Sequence, residues 1–532
     1  MLRTTDQTGG APLTRDPASE KTSRPPAAFI AARLLVAAEQ SEKGLIYVAS
    51  GEGSARAIFD AVACLAADLK PVFFPPWDCL PFDRVPPSRQ SMGLRMEALW
   101  QWAHGDGSRL LVTSLDALLQ RVPPQAVIEA SRYELRVGEP FDRLAFERFL
   151  QRTGYIEDSV VDDHGEYGIR GELIDIFPAG GEHPVRALLT HGDRIRELRS
   201  YDALTQRTQG SLNTISLGPA SEAIRCDGQP ESTESAPSPS QSDIARHLFG
   251  LYGNLQTAFD ALGEVPMIFA AGSEARAARY LAIIDDARQA ERVLRAGTLA
   301  EAQSLYLDEK EWQAARRKVA LQELDLRGGE PVPKFFETPR PRRAVAEFIE
   351  TALAHEQKLV LAGRGDVFDT LRRRAERTGN LRARPVLQWS DVENAPPGSL
   401  LTLAGDLEQG FASAADNLVV IGLGDVLGLR SPAGAQALSE PELQLGDAVV
   451  HEDHGIGILA DLESLQIDGE VQDTARLEYR DGASILVPMK DFGKIWRYGG
   501  QPEAVPLDRL HTEAWAKHCH QRGCKEQPID PG

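Results

Sequence analysis

The first residues with the spacing of a chemical site form a glycine-rich loop near the start of the chain. Gly51, Gly53 and Ser54 follow the apolar run 44–49, which predicts a buried strand, and they precede a predicted helix. A strand, a glycine loop and a helix in this order are the setting of a phosphate-binding loop, which also needs a Lys followed by Ser or Thr. The loop ends in alanine and Arg56 instead, so it lacks the ammonium that neutralises phosphate charge and the hydroxyl that holds Mg²⁺. We therefore predict a degenerate nucleotide loop that does not function.

The remaining patterns that could support catalysis or cofactor binding are weak. Gly422, Gly424 and Gly428 follow the apolar run 418–421, but the residues after them do not predict the helix that a dinucleotide loop requires. The sequence contains no Gly-x-x-x-x-Gly-Lys-Ser/Thr run, and no helicase box follows a predicted strand. No Ser/His/Asp, Cys/His or paired-carboxylate arrangement stands out. We therefore expect a protein that is not an enzyme and needs no cofactor.

Histidine and cysteine cluster around residue 520. His511, His518, Cys519, His520 and Cys524 do not form the two separated ligand pairs of an ordinary structural zinc site, so we expect no metal. The chain has five cysteines, an odd number without the spacing of a disulfide framework. This usage suits a reducing cytoplasm.

Length and charge limit the classes of partner. A chain of 532 residues predicts several domains, and its hydrophobic fraction of 42% is ordinary for globular proteins. The formal net charge of −20 repels nucleic acid, so a DNA contact needs a local basic surface, and we expect DNA to be reached only indirectly. No apolar run has the length of a membrane span, and the polar N-terminus lacks the apolar core of a signal peptide. We expect a cytoplasmic protein without membrane contact.

A second candidate site lies in residues 140–222. The run 165–178 alternates polar and apolar side chains, which predicts paired strands with one wetter face. Arg170 and Arg186 stand on predicted strands of this segment. Arginine suits partner recognition because its rigid fork can form two hydrogen bonds with a carboxylate. Periodicity alone, however, favours two solvated strand arginines.

The run 165–178 resembles the UvrA-binding module that UvrB shares with bacterial transcription-repair coupling factors. The resemblance implies that Arg170 and Arg186 contact UvrA. The family often carries an aromatic residue four positions after the second arginine, where this chain has Thr190. We therefore expect a UvrA-binding surface that includes the position of Thr190 and has reduced affinity.

The front of the chain resembles the same family. Residues 72–83 read Val-Phe-Phe-Pro-Pro-Trp-Asp-Cys-Leu-Pro-Phe-Asp and are similar to an aromatic and proline-rich run of coupling factors and UvrB. The resemblance implies a UvrB-like α/β domain that has lost its nucleotide chemistry. The residues themselves favour core packing of these aromatic side chains.

Residues 446–498 combine short β-rich runs with glycine turns. The pairs 468–469 and 481–482 are both Asp-Gly, and glycine tolerates the positive φ that tight hairpin turns demand. The pattern predicts a small antiparallel barrel. The run 451–457 resembles the RNA polymerase-interacting module of coupling factors and CarD-type regulators.

This second resemblance implies a Tudor-like or SH3-like β-barrel that binds the β subunit of RNA polymerase. It places Leu465 at the polymerase contact, and we predict that Leu462 and Ile467 contribute beside it. The residues alone leave open that Leu465 is a core residue of the barrel.

These features predict a multi-domain α/β chain in which an α+β insert interrupts a UvrB-like α/β domain. The charged run 309–326 predicts a helix with a solvated face. The predicted segments are a disordered tail (1–26), the first part of the UvrB-like domain (27–139), the UvrA-binding module (140–222), a flexible linker (223–243), the completion of the UvrB-like domain (244–330), a small α/β domain (331–435), a CarD-like polymerase-interacting domain (443–505) and a truncated linker or tail (506–532).

The resemblance covers about residues 27–510 and only the non-motor half of the family. It implies a motor-less scaffold that binds RNA polymerase and recruits UvrA in transcription-coupled nucleotide excision repair. Two alternatives remain open. The chain could be the N-terminal half of a split coupling factor whose ATP-dependent DNA translocase is a separate chain, or it could be a CarD-like transcription regulator.

Overall fold

The computed structural model describes residues 25–66, 69–79, 81, 86–105, 109–224, 248, 251–294, 305–428, 448–451, 455–467, 470–480, 483–488 and 495–497. The chain divides into two compact units, Met1–Arg33 with Asp325–Leu429 and Leu34–Leu324 with Arg430–Gly532. Within the described residues, no helix combines the length and the apolar character that crossing a membrane requires.

Helices and short apolar strands alternate over the first part of the chain. All residues of the first three strands are buried, as expected for parallel strands that are covered on both faces. The elements in chain order are α1 (Ala27–Glu39), β1 (Leu45–Ala49), α2 (Glu52–Leu65), β2 (Val72–Phe74), α3 (Arg89–His104), β3 (Leu110–Ser114), α4 (Leu115–Leu118) and α5 (Gln125–Glu129).

Two aromatic side chains at and just after β2 pack in the core. Phe74 is fully buried and Trp77 is 4% exposed, so the predicted core packing is confirmed for both. Trp77 Nε1 donates to Glu222 Oε1 at 2.8 Å, and Arg95 Nε donates to the same oxygen at 2.6 Å. This buried ion pair satisfies the rule that buried charges are paired, and it joins the front of the chain to the end of the insert.

The insert is a six-stranded sheet covered on one face by a helix. Its strand order is β10-β9-β8-β7-β6-β5, and every pair is antiparallel except β5 with β6. Strands β4 and β11 pair with each other in a separate two-stranded sheet. The elements are β4 (Tyr133–Arg136), α6 (Arg143–Arg152), β5 (Ile156–Glu157), β6 (Glu166–Arg170), β7 (Leu173–Ile176), β8 (Val185–Leu189), β9 (Ile195–Tyr201), β10 (Thr208–Leu212) and β11 (Thr214–Leu217).

The chain then returns to the first sheet. Strand β12 pairs in parallel with β1, which gives the order β12-β1-β3-β2. The charged helix predicted over 309–326 is too long, because the helix ends at Lys318. Its Trp312 side chain is 1% exposed and anchors the helix in the core. The elements are α7 (Ala258–Leu262), β12 (Met267–Phe269), α8 (Ser273–Leu294) and α9 (Glu309–Lys318).

The smaller unit is built on a mixed sheet in the order β13-β17-β18-β14-β16-β15. Its central strands are parallel, whereas β13 and β17 pair antiparallel at one edge. The elements are β13 (Gly329–Pro331), a 3-10 turn (Phe335–Glu337), α10 (Pro341–Ala354), β14 (Lys358–Ala362), α11 (Gly365–Gly379), β15 (Arg384–Pro385), α12 (Trp389–Glu393), β16 (Leu400–Leu403), β17 (Phe411–Ser413), β18 (Leu418–Gly422) and α13 (Leu423–Leu427).

The last described elements form an antiparallel sheet in the order β22-β21-β20-β19-β23. Ile467 pairs with Glu470 and Glu478 pairs with Ser484, so both predicted hairpins are confirmed, while the Asp-Gly turns themselves lie outside the described residues. The elements are β19 (Ala448–His451), β20 (Gly455–Ile467), β21 (Glu470–Glu478), β22 (Ser484–Pro488) and β23 (Ile495–Arg497).

Candidate partner-binding surfaces

The six-stranded sheet of the insert has an inner and an outer face. Ile174 and Ile176 of β7 and Ala187 of β8 point into the core beneath α6, whose Phe146 belongs to the same apolar cluster. The neighbouring strand residues Asp175 and Arg186 therefore occupy the outer face, because successive side chains along a strand point to opposite faces of the sheet. The outer face carries Arg170 and Arg186, the two arginines for which the family resemblance implied a partner contact.

Arg186 is fixed on this face by a carboxylate on the neighbouring strand. Asp175 lies directly opposite it in the register of β7 and β8. Arg186 Nε donates to Asp175 Oδ1 at 2.7 Å and Nη2 donates to Oδ2 at 3.1 Å, a two-bond geometry that restricts the guanidinium strongly. These hydrogen bonds raise the pKa of Arg186, so it stays protonated.

An aromatic ring supports the same guanidinium. The Cζ atom of Arg186 lies 4.7 Å from the centroid of the Tyr201 ring. Burial raises the pKa of Tyr201, and its hydroxyl donates to the Val161 carbonyl oxygen at 3.1 Å, so the phenol stays neutral. The ring is therefore a fixed platform for cation–π contact.

Arg170 reaches the outer face from β6. It is two residues beyond Gly168, which pairs with Asp175, so Arg170 and Arg186 lie on the same side of the sheet. The Arg170 side chain is exposed and donates to the carbonyl oxygen of Ser159. The structure thus brings the two predicted arginines to one surface, one of them held by a buried carboxylate and the other open to solvent.

Thr190 stands at the turn between β8 and β9. Its Oγ1 accepts a hydrogen bond from the Arg194 backbone N–H at 3.2 Å, and its own N–H donates to the Arg194 carbonyl oxygen at 2.9 Å. The side chain is therefore committed to the turn. It supplies no aromatic surface beside the arginines.

The predicted polymerase contacts all lie on the long strand β20. Leu462 pairs with Ala475, Leu465 with Gln472 and Ile467 with Glu470 in the register of β20 and β21. Leu465 and Ile467 therefore lie within three residues of the hairpin turn. Leu462 lies deeper in the same ladder.

Two family models match these two parts of the chain. A model described as UvrB interaction domain matches residues 133–222, and a model described as CarD-like/TRCF RID domain matches residues 443–499. A transcription-repair-coupling factor of Myxococcus xanthus is 28% identical over 83% of this chain and 42% of its own length. Those of Haemophilus influenzae and Escherichia coli are 25% and 27% identical, over 84% and 83% of this chain and 42% of their own lengths.

This chain is similar to the transcription-repair-coupling factors over most of its own length. It spans less than half the length of the curated relatives it matches. The outer face with Arg170 and Arg186 lies inside the matched UvrB interaction domain, and Leu465 lies inside the matched CarD-like/TRCF RID domain.

The glycine loop between β1 and α2 is shorter than the sequence suggested. Helix α2 begins at Glu52, so only Ser50 and Gly51 separate it from β1. Arg56 points toward an aromatic side chain, with its Cζ atom 4.9 Å from the Phe73 ring centroid. Burial raises the pKa of Glu52 to about 7, and the Asp78 carboxylate adds to this shift. An acidic side chain therefore stands at the helix N-terminus, where a phosphate-binding loop would hold the phosphate.

The part of the chain that the structure describes contains no candidate metal site. There, no group of three or more His, Cys, Asp or Glu residues is arranged to hold a metal ion. The cluster of His511, His518, Cys519, His520 and Cys524 lies outside the described residues.

Sequence reasoning missed two residues that organise the outer face of the six-stranded sheet. Asp175 is 3% exposed and binds Arg186, although its place on a strand predicted a polar, wetter face. Tyr201 supports the same arginine. An acid within an apolar strand, Leu173-Ile-Asp-Ile176, was the available signal, because such a carboxylate needs a partner.

Proposed function

We propose that this chain is a binding scaffold of transcription-coupled nucleotide excision repair, with one surface for UvrA and another for RNA polymerase. The observation that carries the proposal is the position of Arg170 and Arg186 on one outer face, within the residues that match the UvrB interaction domain. The resemblance of this segment to the UvrA-binding module implies that both arginines contact UvrA.

The chemistry of the outer face supports a protein partner with exposed carboxylates. Arginine is frequent among interface anchors, and Arg186 is already held in place, so little side-chain entropy is lost when a partner binds it. Arg170 is exposed and donates only to a backbone carbonyl in the described structure. Thr190 adds no aromatic anchor, so the proposed affinity is moderate and falls with salt.

The proposed second arm is the CarD-like domain bound to the polymerase β subunit. The antiparallel sheet β22-β21-β20-β19-β23 supports the proposal of a Tudor-like or SH3-like barrel. Leu465, together with Leu462 and Ile467 on β20, is the proposed contact. Leu465→Arg should weaken β-subunit binding and leave the fold intact, because a charge brought into an interface centre is costly to desolvate.

The proposed scaffold works without nucleotide chemistry of its own. The short loop between β1 and α2, the acidic Glu52 at the helix start and Arg56 against Phe73 all support a degenerate nucleotide loop. These 532 residues should not hydrolyse ATP, with or without DNA. We place the protein in the cytoplasm, where the proposed partners act.

Titration of UvrA tests the first arm. Arg170→Ala removes an exposed side chain and should weaken UvrA binding at least tenfold, roughly the 1.4 kcal/mol of a modest interface anchor. Arg148→Ala is the matched control, because Arg148 is also exposed but stands on α6, which covers the opposite face. Equal binding by both variants and the wild type, or no binding by the wild type, would remove the recruitment function.

Capture of native partners separates the scaffold from its alternatives. Recovery of both UvrA and RNA polymerase supports the scaffold. Polymerase without UvrA supports the CarD-like regulator, and recovery of a translocase chain supports the split coupling factor. The Leu465→Arg variant should lose polymerase alone, because the two family models match separate segments of the chain, residues 133–222 and residues 443–499.

A further inference from the structure

A basic cleft of about 770 Å³ lies in the smaller unit, at the C-terminal end of α11. Arg373 and Arg377 line it from one face of the helix, because residues four positions apart are neighbours on a helix surface. Asn380 ends the helix in the left-handed conformation, with φ of 48°, and the chain turns so that Arg382 lines the same cleft.

These three arginines form no ion pair with any residue that the structure describes. The neighbouring Arg372 shows the contrast, because it binds Asp369 at 3.1 Å and Glu376 at 3.2 Å. Glu376 also lines the cleft, but its Oε1 accepts from Arg372 and from the Ala383 backbone N–H at 3.1 Å. The single carboxylate among the lining residues is thus already neutralised, and the cleft keeps a positive charge.

The local charge opposes the charge of the whole chain. Residues 364–384 contain seven arginines and three carboxylates, a formal charge of +4 in a chain whose total is −20. A basic segment of this kind is the local surface that an acidic chain needs before it can approach an anionic polymer.

The lining residues distinguish between two classes of anionic partner. Protein interfaces combine arginine anchors with an apolar and aromatic centre, yet Leu381 is the one aliphatic side chain among the residues that line this cleft, and none of them is aromatic. Contacts to the nucleic-acid backbone come instead from Arg, Thr and Asn donors, and Thr370 and Asn380 supply the last two types. We propose that this cleft binds the phosphate backbone of duplex DNA, independently of base sequence.

This contact differs from the indirect approach to DNA that the net charge predicts. It would add to the scaffold a third surface, which does not depend on UvrA or polymerase binding. If each of the three arginines neutralises one phosphate, the logarithm of affinity falls with the logarithm of salt with a slope of about −2.7. Affinity should then drop roughly 40-fold between about 50 and 200 mM salt.

Fluorescence anisotropy of the full chain with a short labelled duplex of mixed sequence tests the proposal. The variant with Arg373→Gln, Arg377→Gln and Arg382→Gln should bind at least about tenfold more weakly at low salt, and its salt slope should fall from about −2.7 to near zero. All three side chains are exposed, so the unfolding midpoint should not change.

A matched control lies at the other end of the same helix pair. Gly379 at the end of α11 lies against Leu353 at the end of α10, so the start of α10 is about 20 Å from the cleft. Arg340→Gln, Arg342→Gln and Arg343→Gln therefore remove the same charge elsewhere in the unit and should leave the salt slope unchanged.

Three results would overturn the proposal. They are no duplex binding at about 50 mM salt, an equal loss of affinity in the control variant, or tighter binding of polyglutamate than of DNA. The last result would assign the cleft to an acidic protein segment. UvrA titration of the cleft variant should match the wild type, which keeps this test separate from the recruitment function.

Discussion

Replacement of Arg186 has a consequence for folding as well as for recognition. Its partner Asp175 has a side chain that is 4% exposed, whereas the Arg186 side chain is 27% exposed. Arg186→Ala would leave the carboxylate buried without its ion-pair partner. The same substitution removes the cation that lies over Tyr201.

The expected destabilisation follows from this burial. Removing one partner of a buried ion pair costs about 3–5 kcal/mol, and we expect about 3 kcal/mol here because the guanidinium is partly solvated. Asp175→Asn combined with Arg186→Gln removes both charges and keeps a neutral amide pair in their place. The double variant should therefore lose only about 1 kcal/mol, the value of an ordinary hydrogen bond.

Urea unfolding followed by circular dichroism measures the difference. The single variant should unfold at a clearly lower urea concentration than the double variant, and Asp175→Asn alone should lie between them. UvrA titration of the double variant then reports on the missing guanidinium, because its sheet is still folded. The Arg186→Ala variant by itself cannot serve this purpose, because a loss of UvrA binding could come from unfolding of the sheet as well as from the missing guanidinium.

Equal stability of Arg186→Ala and the wild type would refute this reasoning. It would mean that Asp175 is hydrated or protonated without cost once the arginine is gone. A double variant less stable than the single variant would refute it as well, because the penalty could then not come from an unpaired carboxylate.

Two further predictions concern buried carboxylates elsewhere in the chain. Glu222→Gln should lower the unfolding free energy by about 3 kcal/mol, because Arg95 and Glu222 form a fully buried pair at 2.6 Å, and urea midpoints of the variant and wild type check this. Burial raises the pKa of Glu52 and of Asp425 to about 7. Because the native state keeps these protons above about pH 4 while the unfolded chain releases them, stability should fall as pH rises to about 7, by at most ~1.4 kcal/mol per pH unit for each group. Asp425→Asn should flatten this dependence in unfolding measured across the same pH range, and an unchanged slope would contradict it.

The strands and hairpins that depend on a few neighbouring residues could be predicted from the sequence. The apolar runs at Leu45–Ala49 and Leu418–Gly422 predicted buried strands, and the structure contains both. The Asp-Gly pairs predicted hairpins, and the register of Ile467 with Glu470 agrees. Such signals need only neighbouring residues, because apolar runs and glycine turns act over a few positions of the chain.

Residue types and spacing alone could not assign the roles of the outer face. Alternation placed Arg170 and Arg186 on strands, and the family resemblance supplied their proposed partner. That Asp175 holds Arg186 depends on which strands become neighbours and in which register, since a shift of one residue would turn every side chain to the other face.

Long-range packing decided the rest. Met267–Phe269 joins the strand Leu45–Ala49 across more than two hundred residues, and Trp312 anchors in the core a helix whose charge predicted a solvated surface. The sequence by itself determined the local elements and the absence of a Lys-Ser/Thr pair in the glycine loop. The tertiary structure decided which charges are buried and which stay open to a partner, because burial depends on residues that are distant in the chain.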